Sequence, residues 1–150
     1  MNSLKKLAQL NKYLRCLRLP GRQDVTFSYV TNQADATSRL DKASGAQVLM
    51  ARPDCSLRSI SEDHIESYLD TVIFVLDKDL GAGKTDAAEE KQYDKLEAIT
   101  GDILDLIYRT IAESSCEMLS GFRLASATVT PEAMIFGGWT GYSIELSFEG

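Results

Sequence analysis

The chain has 150 residues, with 16 Lys and Arg against 22 Asp and Glu, one His, three Cys and one Trp. That length fits one domain able to bury around 70% of its unfolded surface without help from disulfides or metal, and a composition 44% hydrophobic and 25% charged is that of an ordinary globular protein. A single His excludes any site built from two or more histidines. Cys16, Cys55 and Cys116, odd in number and without CxxC spacing, exclude a zinc ribbon, a thioredoxin-type motif and a disulfide framework, and read as buried or half-buried thiols in a reducing compartment.

Residues 3–18 read as an amphipathic helix. Leu4, Leu7, Leu10, Leu14 and Leu17 recur at spacings of three and four, Ser3 stands at the N-cap position, and Pro20-Gly21 ends the segment. Residues 24–31 alternate, with Val25, Phe27 and Tyr29 on one face, and form a strand. A polar stretch, Asn32 to Gly45, follows as a long loop, of a length that tends to be functional or mobile. Residues 46–50 form a short strand closed by Arg52-Pro53-Asp54.

From Ser59 two readings compete. Ser59-Ile60-Ser61-Glu62 has the form of a capping box, yet the same residues lead into a β-branched and aromatic run that favours a strand over at least residues 68–77, paired with residues 46–51. Helix or strand stays open for residues 60–69. A Gly-rich connection over residues 79–88 precedes the longest helix, about residues 87–118. Its apolar stripe is Leu96, Ile99, Ile103, Leu106/Ile107 and Ile111, with Met118 near its end. Gly101 within it marks close packing or a kink, and Glu97, Asp102, Asp105 and Glu113 form a solvated acidic face.

The last third is strand and turn. Residues 122–129 alternate until Pro131 breaks the ladder, Gly137 to Gly141 supply hairpin chemistry, and Ile144, Leu146 and Phe148 alternate with Ser143, Glu145, Ser147 and Glu149. The fold class is therefore α+β: one mostly antiparallel sheet of about five strands, with an N-terminal helix and one long helix packed on one face, in a single domain over residues 1–150.

Charge is segregated. Residues 1–23 hold Lys5, Lys6, Lys12, Arg15, Arg18 and Arg22 and no acid, which leaves 10 basic and 22 acidic residues, a charge of −12, in the remainder. A +6 block of this kind calls for an electrostatic partner: nucleic acid, a neighbouring subunit, or the protein's own acidic body. Net acidity argues against nucleic acid. No stretch has the apolar length of a signal peptide or a membrane span, so no membrane partner is expected and the chain is expected to stay inside the cell that makes it.

Chemistry-bearing motifs fail on inspection. Gly81-Ala82-Gly83-Lys84-Thr85 follows a strand, but a P-loop needs a glycine where Lys78 stands, and acids occupy the first turn of the following helix. Ser61, Asp63 and His64 lack a nucleophile elbow, and Asp77 and Asp79 lack further metal ligands. The expectation is no enzyme, no catalytic residue, no cofactor and no metal. Trp139, between glycines, is either tucked over the sheet or an interface anchor. The candidate interface residues are thus Lys5, Lys6, Lys12, Arg15 and Trp139.

The order of elements, closing on Gly138-Trp139-Thr140-Gly141-Tyr142-Ser143-Ile144-Glu145-Leu146-Ser147-Phe148, resembles the small neck and tail-completion proteins of long-tailed bacteriophages, the tail-terminator-like group. That resemblance implies a non-catalytic structural protein of a phage or prophage particle that forms rings, often hexameric, at the junction of tail and head. Its partners would be further copies of itself and tail-tube or neck proteins, contacted in part by residues 32–45 and 79–88. Its place would be the host cytoplasm during assembly and then the virion. Two other classes compete: a small adaptor module binding protein or nucleic acid through residues 1–23, and a nucleotide-using enzyme built on residues 81–85.

Overall fold

A computed structural model describes residues 2–113 and 119–150. Among these residues three helices and six strands follow one another as α1 (Asn2–Cys16), β1 (Val25–Val30), α2 (Gln33–Leu40), β2 (Ala46–Ala51), β3 (Asp54–Ser61), β4 (His64–Lys78), α3 (Asp86–Ala112), β5 (Arg123–Ile135) and β6 (Trp139–Glu149). The sheet runs β1-β2-β4-β6-β5, with β3 paired to β4, and every neighbouring pair is antiparallel except β1 with β2. The α+β class holds, with one more strand and one more helix than the sequence pattern suggested.

The main core lies between one face of the sheet and helices α1 and α3. Leu10, Leu14 and Leu17 from the leucine stripe meet Val48, Ile73, Val75, Ile144 and Phe148 from the strands and Leu96, Ile99, Ile103 and Ile107 from α3. The stripe is not buried throughout, for Leu4 remains 57% exposed. Helix α1 begins at Asn2, so Ser3 lies inside it and not at its cap. Cys16 is exposed, contrary to expectation, because it falls between the buried Leu14 and Leu17 on the outer side of the helix end; Cys55 is half-buried and Cys116 lies outside the described residues.

The expected loop over residues 32–45 contains helix α2. Asn32 caps it, its side chain accepting from the Asp35 N–H, and Ala36 and Leu40, four apart, insert into a second cluster on the opposite face of the sheet with Val30, Leu49, Leu76 and Trp139. The sheet is therefore covered by two helices on one face and by a short one on the other. Residues 60–69 are not helix: they hold the end of β3, a turn at Glu62 and Asp63 and the start of β4, which pairs with β2 in the register Gln47↔Leu76 to Met50↔Ile73.

Three further expectations change. Helix α3 ends at Ala112, where the Glu113 N–H returns to the Arg109 carbonyl, and Met118 falls outside the described residues. A Cβ on Gly101 would meet nothing within 4 Å, so no close packing explains that glycine. Pro131 does not break its strand. It pairs opposite Tyr142 within β5, which has β6 as its one sheet neighbour among the described residues, so the missing N–H costs no ladder bond on an edge.

Candidate interaction surface

Strands β3 and β4 continue past the end of the sheet. Strand β6 pairs with β4 only as far as Tyr68↔Glu149, and the Gly150 N–H bonds the Ser67 carbonyl, whereas β3 follows β4 out to Ser61↔His64. Residues 57–67 thus form a two-stranded arm with Glu62 and Asp63 at its turn. Cross-strand pairs share a face, which puts Leu57, Ser59, Ile65 and Ser67 on one side and Arg58 and Glu66 on the other.

The polar side of the arm is tied together. The Arg58 guanidinium lies 4.2 Å from the Tyr68 ring centroid, the Tyr68 hydroxyl donates to Glu66 at 2.5 Å, and His64 Nε2 lies 3.2 Å from the same carboxylate. These contacts hold Glu66 below the usual carboxylate range, first through the Tyr68 hydroxyl and then through His64. His64, which pairs across the arm with Ser61, is engaged through Nε2 in this exposed network. The other side is apolar and continues the core face: Cys55 and Leu69, one pair further in, pack on the main core, while Leu57 and Ile65 are 58% and 65% exposed, and Ile60 at the tip 63%. A two-stranded hairpin is marginal alone in water, and this one leaves three branched apolar side chains exposed.

The basic segment is partly used within the protomer. Arg15 stacks on Tyr29 at 4.7 Å, Arg18 on Phe27 at 5.6 Å and Lys6 on Phe122 at 5.7 Å, each measured to the ring centroid. Arg22 pairs with Asp102 of α3 at 2.6 Å. Among the described residues the acidic body thus takes up one of the six cations, and three others lie on aromatic rings. Lys5 and Lys12 stand exposed on α1, and Arg15 is exposed around its stacked guanidinium. Trp139, by contrast, is 3% exposed beneath α2, so the indole packs the second core cluster and presents nothing to a partner in this conformation.

The Gly81–Thr85 segment is latched to the protein itself. Asp79 accepts from the Gly81 N–H at 2.9 Å, from Lys84 at 3.1 Å and from the Thr140 hydroxyl at 3.3 Å. Lys84 also reaches Glu89 at 2.9 Å, and the Thr85 hydroxyl accepts from the Ala88 N–H as the N-cap of α3. The lysine and hydroxyl that would serve a phosphate are thus committed to carboxylates and a helix end. The Gly81 N–H and then the Lys84 ammonium hold Asp79 below the usual carboxylate range, while Glu89 and then Asp79 push Lys84 up.

Asp79 therefore adds stability above the unfolded aspartate range, near pH 4, and that stability is lost as pH falls through its depressed folded value. Thermal midpoints followed from pH 6 to pH 2 will fall less steeply for Asp79→Asn than for the native chain, and a slope identical in the two would show that the latch carries no pH-dependent stability.

A groove of about 560 Å³ opens on the α2 side of the sheet, floored by Val72 and Phe74 and walled by Gln33 and Ala36 of α2, by Ile135 at the end of β5 and by Phe136 in the β5–β6 turn. Phe136 meets Phe74 edge-on at 4.9 Å and holds φ +50°, with Met134 at +55°. Among the described residues no group of three or more His, Cys, Asp and Glu is placed to hold a metal ion, and no helix is long and apolar enough to cross a membrane. The arm could not be located from periodicity, because a capping-box pattern overlies its turn; the signal within reach was the recurrence of Leu57, Ile60 and Ile65 among polar residues. No known protein-family model matches the chain, and comparison with curated proteins gave no match either.

Proposed function

We propose that the chain is a structural assembly protein of a phage or prophage particle, of the tail-terminator or head–tail joining type, which acts by forming a ring and performs no catalysis. The observation that carries this reading is the arm over residues 57–67, whose apolar face continues the core face beyond the protomer's own helices. In a closed ring each subunit offers one surface and receives another, and every arm finds a neighbour. The exposed Lys5 and Lys12 on α1 and the acids Glu62 and Asp63 at the arm's turn have the opposite signs such a head-to-tail contact uses for orientation and encounter rate. The ring would contact tail-tube or neck proteins and would occupy the host cytoplasm before joining the virion.

The double variant Leu57→Asp, Ile65→Asp separates assembly from folding. Both side chains are exposed in the protomer, so urea unfolding of the monomer will change by no more than about 0.5 kcal/mol per site. Electron microscopy of the native protein is expected to show rings of one diameter, and of the variant none. Rings that persist in the variant would place the contact elsewhere and remove the support for this reading.

A further inference from the structure

Strand β5 forms one edge of the sheet for 13 residues, and among the described residues β6 is its one sheet neighbour. Exposed edges are templates for further strands, and proteins blunt them with charges, prolines and bulges. Here those devices sit at the ends. Register shifts fall between Leu124 and Ser126 and between Glu132 and Ile135, and Pro131 stands just inside the second. Ser126 to Thr130 between them is regular, uncharged and open.

The two ionisable residues of this strand, Arg123 and Glu132, bracket the open stretch with opposite charge. From this we infer that β5 pairs antiparallel with β5 of a second copy about a two-fold axis through Thr128. In that register Thr128 opposes its own copy, Ala127 opposes Val129 and Ser126 opposes Thr130. Ala125 is taken up by the bulge, so Leu124 then opposes Pro131, and Arg123 opposes Glu132 on both sides of the axis.

Faces match as well as charges. Leu124 and Ala127 pack toward the helices, whereas Ser126, Thr128 and Glu132 line the other face. Opposed residues in a continuous sheet must share a face, and this register satisfies that rule at each pair, while a slip by one residue violates it. Val129, 41% exposed in the protomer, gains the partner's Ala127 as its direct neighbour. Arg123 loses little by turning outward, since its present partner Glu149 lies at 3.7 Å and the Arg123 side chain is 81% exposed. Glu132 accepts from the Ser143 hydroxyl at 2.9 Å through Oε1 and keeps its second oxygen for an arginine. An isologous contact of this kind joins two protomers and stands independently of the ring.

The register is tested by cysteines placed in a Cys16→Ser, Cys55→Ser, Cys116→Ser chain. Opposed Cα atoms in an antiparallel pair lie about 4.5–5.5 Å apart, within disulfide reach. Under mild oxidation at low micromolar concentration, Thr128→Cys is expected to run as a reducible dimer in most chains, and Val129→Cys, which faces Ala127, as a monomer. Equal linking of the two, or linking of neither, overturns the register. In the Leu57→Asp, Ile65→Asp background, where the arm can join no ring, light scattering is expected to show a dimer that is lost on adding Arg123→Glu or Glu132→Arg and regained when the two are combined; failure of the combination to restore it also overturns the inference. Loss of rings in the arm variant with the Thr128→Cys dimer retained would show that the two contacts are separate.

Discussion

Replacing Gly141 by alanine will unfold the protein or lower its stability by about 3–5 kcal/mol, as overpacking against backbone does at its worst. Gly141 sits in β6 opposite Leu76 of β4, at φ +156°. A Cβ there would lie 2.0 Å from the Val75 carbonyl oxygen and 3.0 Å from the Val75 carbonyl carbon. Neither atom belongs to a movable side chain, and both belong to the strand at the middle of the sheet, so relief requires parting β4 from β6. With a domain stability of only about 5–15 kcal/mol, the loss is a large part of the whole. Urea unfolding followed by far-UV circular dichroism measures it; a midpoint near that of the native chain would show that β6 can shift without cost.

Trp139→Ala has a comparable effect for a different reason. The indole fills the second cluster between Leu49 and Leu76 of the sheet and Ala36 and Leu40 of α2, and truncating a buried Trp costs about 3–5 kcal/mol through lost transfer energy and the cavity left behind. Because α2 has eight residues and two buried side chains, it depends on that packing more than on its own propensity. The variant is expected to unfold at lower urea as a monomer, and the native protein, with its single Trp, to show blue-shifted emission that moves red on unfolding. A variant of native stability that fails to assemble would instead make Trp139 an interface anchor.

How far the sequence carried the fold depends on how local each signal is. The leucine spacing of α1, the stripe of α3 and the alternation of β6 each repeat several times within one element; α1 matches its expected span to within two residues at each end, whereas α3 stops at Ala112, short of the expected 118, and β6 starts at Trp139, inside the expected turn. Helix α2 was missed because its apolar signal is only Ala36 and Leu40 in an otherwise polar segment, and the stabilising partners, Val30, Leu49 and Trp139, come from three separate strands, the last of them far away in sequence. Strand β3 was missed because Asp54–Ser61 has five exposed positions in a row at its end, so it lacks the buried face that makes alternation visible; its pairing with β4 is what orders it. In β5 the bulge near Ala125 reverses the faces, so Leu124 and Ala127 share a side that simple alternation would separate.

The candidate surface was legible only in part. Sequence exposed the +6 segment, and the fold showed that four of its six cations are engaged with Tyr29, Phe27, Phe122 and Asp102, with Lys5 and Lys12 left outward. Stacking of a cation on a ring depends on which strand lies under the helix, and no pattern within residues 1–23 encodes that. The arm was hidden for the same reason: Leu57 and Ile65 are eight apart in sequence and share a face only once β3 has folded back on β4.

Molar mass by light scattering after size exclusion, across protein concentration and at low and high salt, tests the central proposal most directly. A closed ring joined in part by opposite charges predicts one discrete multiple of the protomer mass at low salt, unchanged over a range of concentrations and shifting to smaller species as salt screens the contact. The protomer mass at every concentration and salt, or a dimer and nothing larger, would contradict the ring.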